Sequence, residues 1–94
     1  MKLENGHRVW RNKDGQYHRT DGPAIECVDG TKYWCINGQL HRTDGPAVEW
    51  ADGSKVWWIN DQNKTNEIVQ WMKETNITYP FDNTSKLLFK LIFG

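Results

Sequence analysis

The chain has 94 residues, a length that supports one small domain with little interior volume. Its 12 Lys and Arg balance its 12 Asp and Glu, and this zero net charge argues against dedicated nucleic-acid binding and against a polybasic membrane anchor. The 6 Trp, 3 Tyr and 3 Phe can supply a core to a thin fold.

Neither end of the chain carries an apolar segment of the kind that directs export or crosses a bilayer. The first ten residues contain no apolar run of signal-peptide length. The most apolar run, residues 87–93, is interrupted by Lys90 and is too short to span a membrane. We therefore expect a cytoplasmic protein without a membrane span.

A stretch of 23 residues occurs twice in succession. Residues 15–37 and 38–60 abut without insertion and are identical at 16 of 23 positions. A fixed period of this length is typical of repeat proteins, in which each unit packs against its neighbours. Residues 1–14 form a partial third unit, so repeats cover residues 1–60, and a tail of the same domain covers residues 61–94.

Each unit contains a turn dipeptide between two β-rich runs, at residues 5–6, 29–30 and 52–53. Asn-Gly or Asp-Gly in this setting favours a two-residue hairpin turn, because both central residues need positive φ. A Trp follows each turn glycine by four residues, at Trp10, Trp34 and Trp57. The pattern predicts a mainly β fold in which three successive hairpins form a single-layer antiparallel sheet with one column of Trp. The segments between hairpins are predicted to be return loops.

A two-residue turn at Asp29-Gly30 predicts that Glu26 faces Tyr33 and that Ile25 faces Trp34. Because side chains alternate between faces, Cys27 and Cys35 are predicted to point apart and to remain free thiols. The face opposite Ile25 and the Trp column collects Glu26 and Glu49 together with an apolar patch. Since exposed apolar patches commonly mark interfaces, we predict partner binding by Tyr33, Cys35, Val56 and Trp58. The alternatives are burial of this patch under the tail and self-association through it.

The tail is predicted to be helical. Thr65 or a neighbouring Asn can cap a helix from Asn66 to about Glu74, and one of residues 82–84 can cap a second helix over residues 85–93. A buried strand is the alternative for the second segment, but Lys86 and Lys90 would share one helical face. Because terminal repeats need caps, we expect six side chains of the tail to be buried against the sheet or against a second chain: Ile68, Trp71, Met72, Leu88, Leu91 and Ile92.

Two His-Arg-Thr-Asp groups are the most site-like feature of the repeats. His18, Arg19, His41 and Arg42 could form a pocket for a phosphate or carboxylate, because Arg offers planar, bidentate donors. In the structural interpretation, Asp instead binds Arg and turn N–H groups, while His packs against the next repeat. Duplication favours this second interpretation, since every unit of an array must solve the same folding problem.

The 23-residue unit resembles the MORN repeat, and most of all its MORN-like variant. The resemblance rests on residues 16–24 (QYHRTDGPA) and 37–47 (NGQLHRTDGPA), each followed by an Asp-Gly hairpin and a Trp strand, and it covers residues 5–60. The first copy departs from the pattern with Asp14-Gly15 in place of Asn-Gly. The resemblance implies an elongated sheet of hairpins that serves as an interaction or scaffold module. Variant arrays of this kind occur in bacteria, phages and large viruses, and some bacterial ones are labelled antitoxins.

No motif for catalysis or cofactor binding is present. The Cys and His spacings fit no zinc site, no signature surrounds either Cys, and no glycine-rich phosphate loop precedes a helix. We therefore expect that the protein is not an enzyme and binds no metal or cofactor. We expect instead a non-catalytic protein-binding module, such as a phage or bacterial accessory protein that inhibits or neutralises a partner protein. The alternatives are sequestration of a small anionic ligand or nucleotide signal by the His/Arg loops, and edge-to-edge assembly as a homo-oligomer.

Overall fold

A computed structural model describes all 94 residues, which form short strands followed by two helices. In chain order the elements are β1 (Lys2–Glu4), β2 (His7–Val9), β3 (Ile25–Glu26), β4 (Lys32–Tyr33), β5 (Cys35–Ile36), β6 (Gln39–Leu40), β7 (Val48–Glu49), β8 (Lys55–Val56), β9 (Trp58–Ile59), β10 (Gln62–Asn63), α1 (Thr65–Thr75) and α2 (Asn83–Phe93).

Six of the strands form the main sheet, in the order β1-β2-β3-β4-β7-β8. All neighbours are antiparallel, and the sheet consists of three successive hairpins, β1–β2, β3–β4 and β7–β8. The predicted fold class is therefore confirmed: a mainly β structure of successive antiparallel hairpins with two short helices after it.

The predicted register of the second hairpin is wrong by one residue. Ile25 pairs with Tyr33 and Glu26 with Lys32, because the loop holds three residues rather than two. The N–H of Gly30 donates to the carbonyl of Cys27 at 3.0 Å, and Gly30 has a φ of 97° whereas Asp29 has no positive φ. The loop is thus a turn followed by one left-handed glycine, and not the type I′ turn that Asp-Gly predicted.

The corrected register changes which side chains share a face of the main sheet. One row across the strands is apolar: Val9, Ile25, Tyr33, Val48 and Val56. The row on the other face alternates in charge: Arg8, Glu26, Lys32, Glu49 and Lys55. Opposite charges on facing strands contribute roughly 0.2–1 kcal/mol per pair. The predicted grouping of Tyr33 and Val56 with Glu26 and Glu49 is therefore wrong.

The segments predicted to be return loops form a second row of hairpins. Strand β5 pairs with β6 and β9 with β10, while Arg11 bridges Tyr17 in the first unit. The turn at Asn37-Gly38 has φ values of 49° and 80°, as a two-residue type I′ turn requires. Neighbouring hairpins of this row are joined through the N–H of Gly38, which donates to the Tyr17 carbonyl at 2.9 Å.

The tryptophans that were predicted to form a column lie at equivalent junctions between the two rows, just outside the strands. The Trp34 N–H donates to the Ala47 carbonyl of the main sheet at 2.7 Å, and the Trp34 carbonyl accepts from His41 N–H at 3.0 Å. Trp10 makes the same two bonds with Ala24 and His18. Trp10 and Trp34 therefore tie one hairpin row to the other.

The tail is helical, as predicted, and it covers the end of the array. Asp82 caps α2 by accepting from the Ser85 N–H at 2.8 Å. The largest cluster of buried apolar residues combines the last repeat with the tail, and Trp71 and Met72 pack against it: Trp57, Ile59, Ile68, Phe81 and Phe89.

Part of the predicted burial in the tail is wrong. Leu88, Leu91 and Ile92 are 41%, 75% and 57% exposed. The reason is that α2 faces the core through Ser85 and Phe89, which are four residues apart, so these three side chains point elsewhere. Their burial against a second chain stays a prediction. Each helix has 11 residues, and neither has the length and apolar character that a bilayer crossing needs.

Candidate functional site

The Arg42 guanidinium is held between an aromatic ring and a glycine. Its Cζ lies 3.7 Å from the ring centroid of Trp34, which is the geometry of a cation–π contact. A Cβ atom built on Gly45 would lie 2.6 Å from the same Cζ, so any larger residue at this position would displace the guanidinium. The Arg-x-x-Gly spacing of the motif is therefore explained by close packing.

Arg42 also binds three acceptors from its own repeat. It donates to the Asp44 carboxylate at 2.9 Å, to the Pro46 carbonyl at 3.1 Å and to the Glu49 carboxylate at 2.9 Å. Its side chain is only 11% exposed. These contacts give Arg42 a structural role and leave little of its charge for an external anion.

Arg19 repeats this arrangement more loosely. Its Cζ lies 3.9 Å from the Trp10 ring centroid, and it donates to Asp21 at 3.0 Å and to the Pro23 carbonyl at 3.2 Å. The pair with Glu26 is longer, at 3.8 Å, and the Arg19 side chain is 23% exposed. The two copies thus share one design and differ in how tightly they are packed.

The histidines of the motif fasten each hairpin of the second row to the next one. Nδ1 of His18 accepts from the Asn37 N–H at 3.0 Å, and Nδ1 of His41 accepts from the Asn60 N–H at 2.9 Å. Burial lowers the pKa of His41, which favours the neutral ring that this bond needs. An Nδ1 that accepts leaves the proton of the neutral ring on Nε2.

The predicted partner-binding residues do not form one patch. Tyr33 and Val56 lie in the main sheet, whereas Cys35 and Trp58 lie in the second row of hairpins. Cys35 is 5% exposed, and burial raises the pKa of its thiol to about 11, so the thiol stays protonated at neutral pH. Tyr33 packs edge-on against Trp50, with centroids 6.0 Å apart. Cys27 and Cys35 are free thiols, although the register behind that prediction is wrong. The part of all four residues in partner binding stays a prediction.

The most exposed apolar surface lies on α2 and was not singled out from the sequence. Four side chains form what we call the outer face of α2, with exposures of 59%, 41%, 75% and 57%: Leu87, Leu88, Leu91 and Ile92. The spacing i, i+1, i+4, i+5 could have indicated one continuous stripe. The stripe was missed because Leu88, Leu91 and Ile92 were predicted to be buried.

A second candidate site lies between the His-Arg-Thr-Asp loops and α2. This space, which we call the basic cleft, has a volume of about 410 Å³. Residues 19–21, Trp34, Ile36, residues 41–44, Lys86 and Lys90 line it. Three of the four predicted anion-binding residues line the cleft, and His18 does not. Lys86 and Lys90 share a helical face, as predicted, but the sequence did not indicate that this face would meet the loops.

A larger groove of about 660 Å³ lies where α1 and the following loop meet the last hairpin of the main sheet, lined by Lys55, Trp57, Val69, Met72, Lys73 and residues 76–79. No three His, Cys, Asp or Glu side chains stand close enough together to hold a metal ion.

Comparison of the chain with protein-family models, curated proteins and solved structures gave no match. The resemblance of the repeats to MORN-like units therefore stays a prediction that rests on the residues quoted above.

Proposed function

We propose that the protein is a non-catalytic protein-binding module that docks on its partner through the outer face of α2. The observation that carries this proposal is the exposure of four adjacent large apolar side chains on one helix. Contiguous apolar surface on a small protein usually marks an interaction site. Binding itself would inhibit or neutralise the partner.

The helix is well prepared to bind because its inner side is fixed. Phe89 is fully buried and packs on Phe81 and Trp57, with ring centroids 5.4 Å and 5.7 Å away. Asp82 closes the first turn of α2 by its hydrogen bond to Ser85. A preorganised helix loses little conformational freedom on binding, so more of the contact free energy becomes affinity.

The chemistry of α2 favours a different protein over a second copy as the occupant. The helix carries Lys86 and Lys90 and no acidic residue. Lys90 is three residues from Leu87 and borders the outer face. A symmetric dimer through this face would bring the lysines of both copies together, and like charges across an interface are unfavourable. The fitting partner has an apolar groove with an acidic rim that receives the helix.

The resemblance to MORN-like repeats supports a role as a bacterial or phage accessory protein that acts in the cytoplasm. A membrane surface is less fitting as the occupant of the outer face, because α2 is short and the chain has no net charge.

The proposal is tested by comparing the replacement of two apolar side chains on α2 with the replacement of two similarly exposed apolar side chains elsewhere. The test variant is Leu87→Gln with Leu91→Gln, and the matched control is Leu3→Gln with Val28→Gln, whose side chains are 65% and 71% exposed. The partner is captured from the native host, purified, and titrated with each variant after a melting check. Anchor residues cost about 2 kcal/mol each, so the test variant should lose at least about 30-fold in affinity.

Other outcomes contradict the proposal. If the test variant binds like the wild type while Tyr33→Ser with Trp58→Ser has lost affinity, the partner docks on the repeats. Concentration-dependent dimers that the test variant abolishes, seen by light scattering, would assign the face to a second copy. Retention of the wild type, but not the test variant, on anionic vesicles would assign it to a lipid surface.

A further inference from the structure

The basic cleft contains two positive charges that no carboxylate neutralises. Each of the six ion pairs in the structure is made by an arginine, so neither Lys86 nor Lys90 has a carboxylate at ion-pair distance, although Asp21 and Asp44 line the same cleft. Both lysines line the cleft from the side of α2. The opposite wall carries Arg19 and Arg42, whose charges Asp21 and Asp44 already balance.

The spacing of the two lysines is unfavourable for the helix itself. Two like charges at i and i+4 destabilise a helix by a few tenths of a kcal/mol. Lys86 also lies near the N-terminal end, where the backbone contributes partial positive charge and the Asp82 carboxylate at the N-cap is the acidic group that faces it. Lys90 lies in the last turn, where a positive charge is favourable. The cost that remains is the repulsion between the two lysines, which a bound anion would offset.

Hydrogen-bond donors extend this pattern into the wall of the cleft. His41 accepts at Nδ1 from the Asn60 N–H, so its neutral ring presents an Nε2–H donor. The indole nitrogen of Trp34, another lining residue, has no acceptor, but it is shielded from solvent and is not offered to the cleft. The cleft thus combines two ammonium groups that form no ion pair with the Nε2–H donor of His41, a composition that suits an oxygen-rich anion.

We propose that the basic cleft binds a phosphate monoester of a small molecule, with Lys86 and Lys90 holding the phosphate. A phosphate monoester carries about −1.5 to −2 charges at neutral pH, which matches the two unpaired lysines. The cleft volume of about 410 Å³ lies within the usual range for small-ligand sites. Arg19 and Arg42 are positioning residues that fix the wall, and not the groups that bind the anion. This site adjoins the outer face of α2 through Lys90, but phosphate binding is measured on the purified chain alone and does not depend on the proposed docking.

The test compares two double variants that remove the same charge. Lys86→Gln with Lys90→Gln removes the proposed ligands, and Lys13→Gln with Lys73→Gln removes two exposed lysines outside the cleft, one of them in the last turn of α1 as Lys90 is in α2. The purified chain is titrated with inorganic phosphate at constant ionic strength, balanced with chloride, while amide shifts are followed by NMR. We expect saturable shifts in residues 41–44 and in α2 around Lys86 and Lys90.

The Lys86 and Lys90 variant should bind phosphate at least about tenfold more weakly, and the control should bind like the wild type. A nucleoside monophosphate should bind more tightly than inorganic phosphate, because its remaining atoms also contact the cleft. Shifts that do not saturate, or equal losses in both double variants, would overturn the site and assign the response to charge screening. Tighter binding of a phosphoserine peptide than of either small probe would overturn the small-molecule assignment.

Discussion

Trp34 and Trp57 occupy equivalent positions in successive repeats, yet they are covered by different chemistry. Arg42 of the next repeat lies over the Trp34 ring, at 3.7 Å from its centroid. No further repeat follows Trp57, and its ring instead stacks on Phe81 at 5.6 Å and 28° and meets Tyr79 edge-on. Trp57 is only 2% exposed as a result.

The tail also replaces the next repeat as the hydrogen-bond partner of the Trp57 backbone. Trp34 donates its N–H to the Ala47 carbonyl of the next unit, whereas Trp57 donates its N–H to the Thr65 hydroxyl at 3.0 Å. The Trp34 carbonyl accepts from the His41 N–H, whereas the Trp57 carbonyl accepts from the Lys64 N–H. The tail therefore replaces a missing repeat in both hydrogen bonding and packing. Between repeats the cover is a bonded guanidinium, which is interchangeable from unit to unit, whereas the end of the array is closed by an apolar core.

Removing the tail, which closes the array at Trp57, should have the largest effect on folding. Truncation after Asn60 exposes Trp57 and Ile59 and removes Phe81 and Phe89. We expect an unfolded or aggregating product by circular dichroism and light scattering, because the repeats alone lack a closed core.

The matched control for the truncation deletes residues 38–60, a whole repeat, and brings Trp34 into the position of Trp57. This shorter chain keeps the cap and should still melt cooperatively. If residues 1–60 alone remain monomeric with a cooperative melt, the tail is not a cap.

The next effect separates the inner and outer sides of α2. Phe89→Ala should lower the free energy of unfolding by about 3–5 kcal/mol, since the ring is fully buried among aromatic neighbours. Leu91→Ala, at a side chain that is 75% exposed, should change it by less than about 0.5 kcal/mol. Urea titration measures both. Equal losses would mean that Leu91 is buried in solution.

A smaller effect on stability distinguishes the two arginines that lie over tryptophan rings, Arg42 over Trp34 and Arg19 over Trp10. Arg42→Met should destabilise by about 2–3 kcal/mol, because it removes the hydrogen-bonded ion pair at 2.9 Å from the half-buried Glu49 carboxylate. Arg19→Met should cost about 1 kcal/mol, since the Glu26 pair is longer, at 3.8 Å, and Arg19 is more exposed. Thermal melts of the two variants at the same pH test this order, and a reversed order would show that packing on the tryptophans, and not the ion pair, dominates.

The smallest effect concerns the bond between His41 and the next hairpin. Because burial lowers the pKa of His41 in the folded protein, the unfolded chain takes up its proton first. The contribution of neutral His41 to the free energy of unfolding is therefore complete above a pH of about 6.5. It is lost as the pH falls from that value toward the pKa of His41 in the folded protein. The slope of unfolding free energy against pH between about 7.5 and 5 should be smaller in His41→Asn, whose side-chain oxygen can still accept from Asn60. An unchanged slope would show that His41 does not contribute.

The repeat, the main sheet and the helices could be predicted because they rest on local signals. Asn5-Gly6 forms the two-residue turn that its sequence indicates, with Glu4 facing His7. Asp29-Gly30 does not, because Asp29 keeps a negative φ and caps the Thr31 N–H with its carboxylate. That choice between two turns shifts every side chain on the following strand to the other face.

The candidate sites could be predicted only in part, because they depend on contacts between distant segments. The loops around Arg19 and Arg42 are visible as a repeated motif, and the shared face of Lys86 and Lys90 follows from helical spacing. The loops and the helix are far apart in the sequence, and their meeting is set by the packing of Phe89 into the core, which no local pattern specifies. For the same reason the sequence could not assign Leu87 and Leu91 to the outside.

The alternating charge row of the main sheet has a consequence for how copies of the chain can meet. The row ends on Lys55 in β8, which is an edge strand. An incoming strand can extend the alternation only if it places an acid opposite that lysine. If a second copy paired through its own β8 in a register centred on Lys55, it would place Lys55 opposite Lys55, and this repulsion disfavours that register of self-pairing.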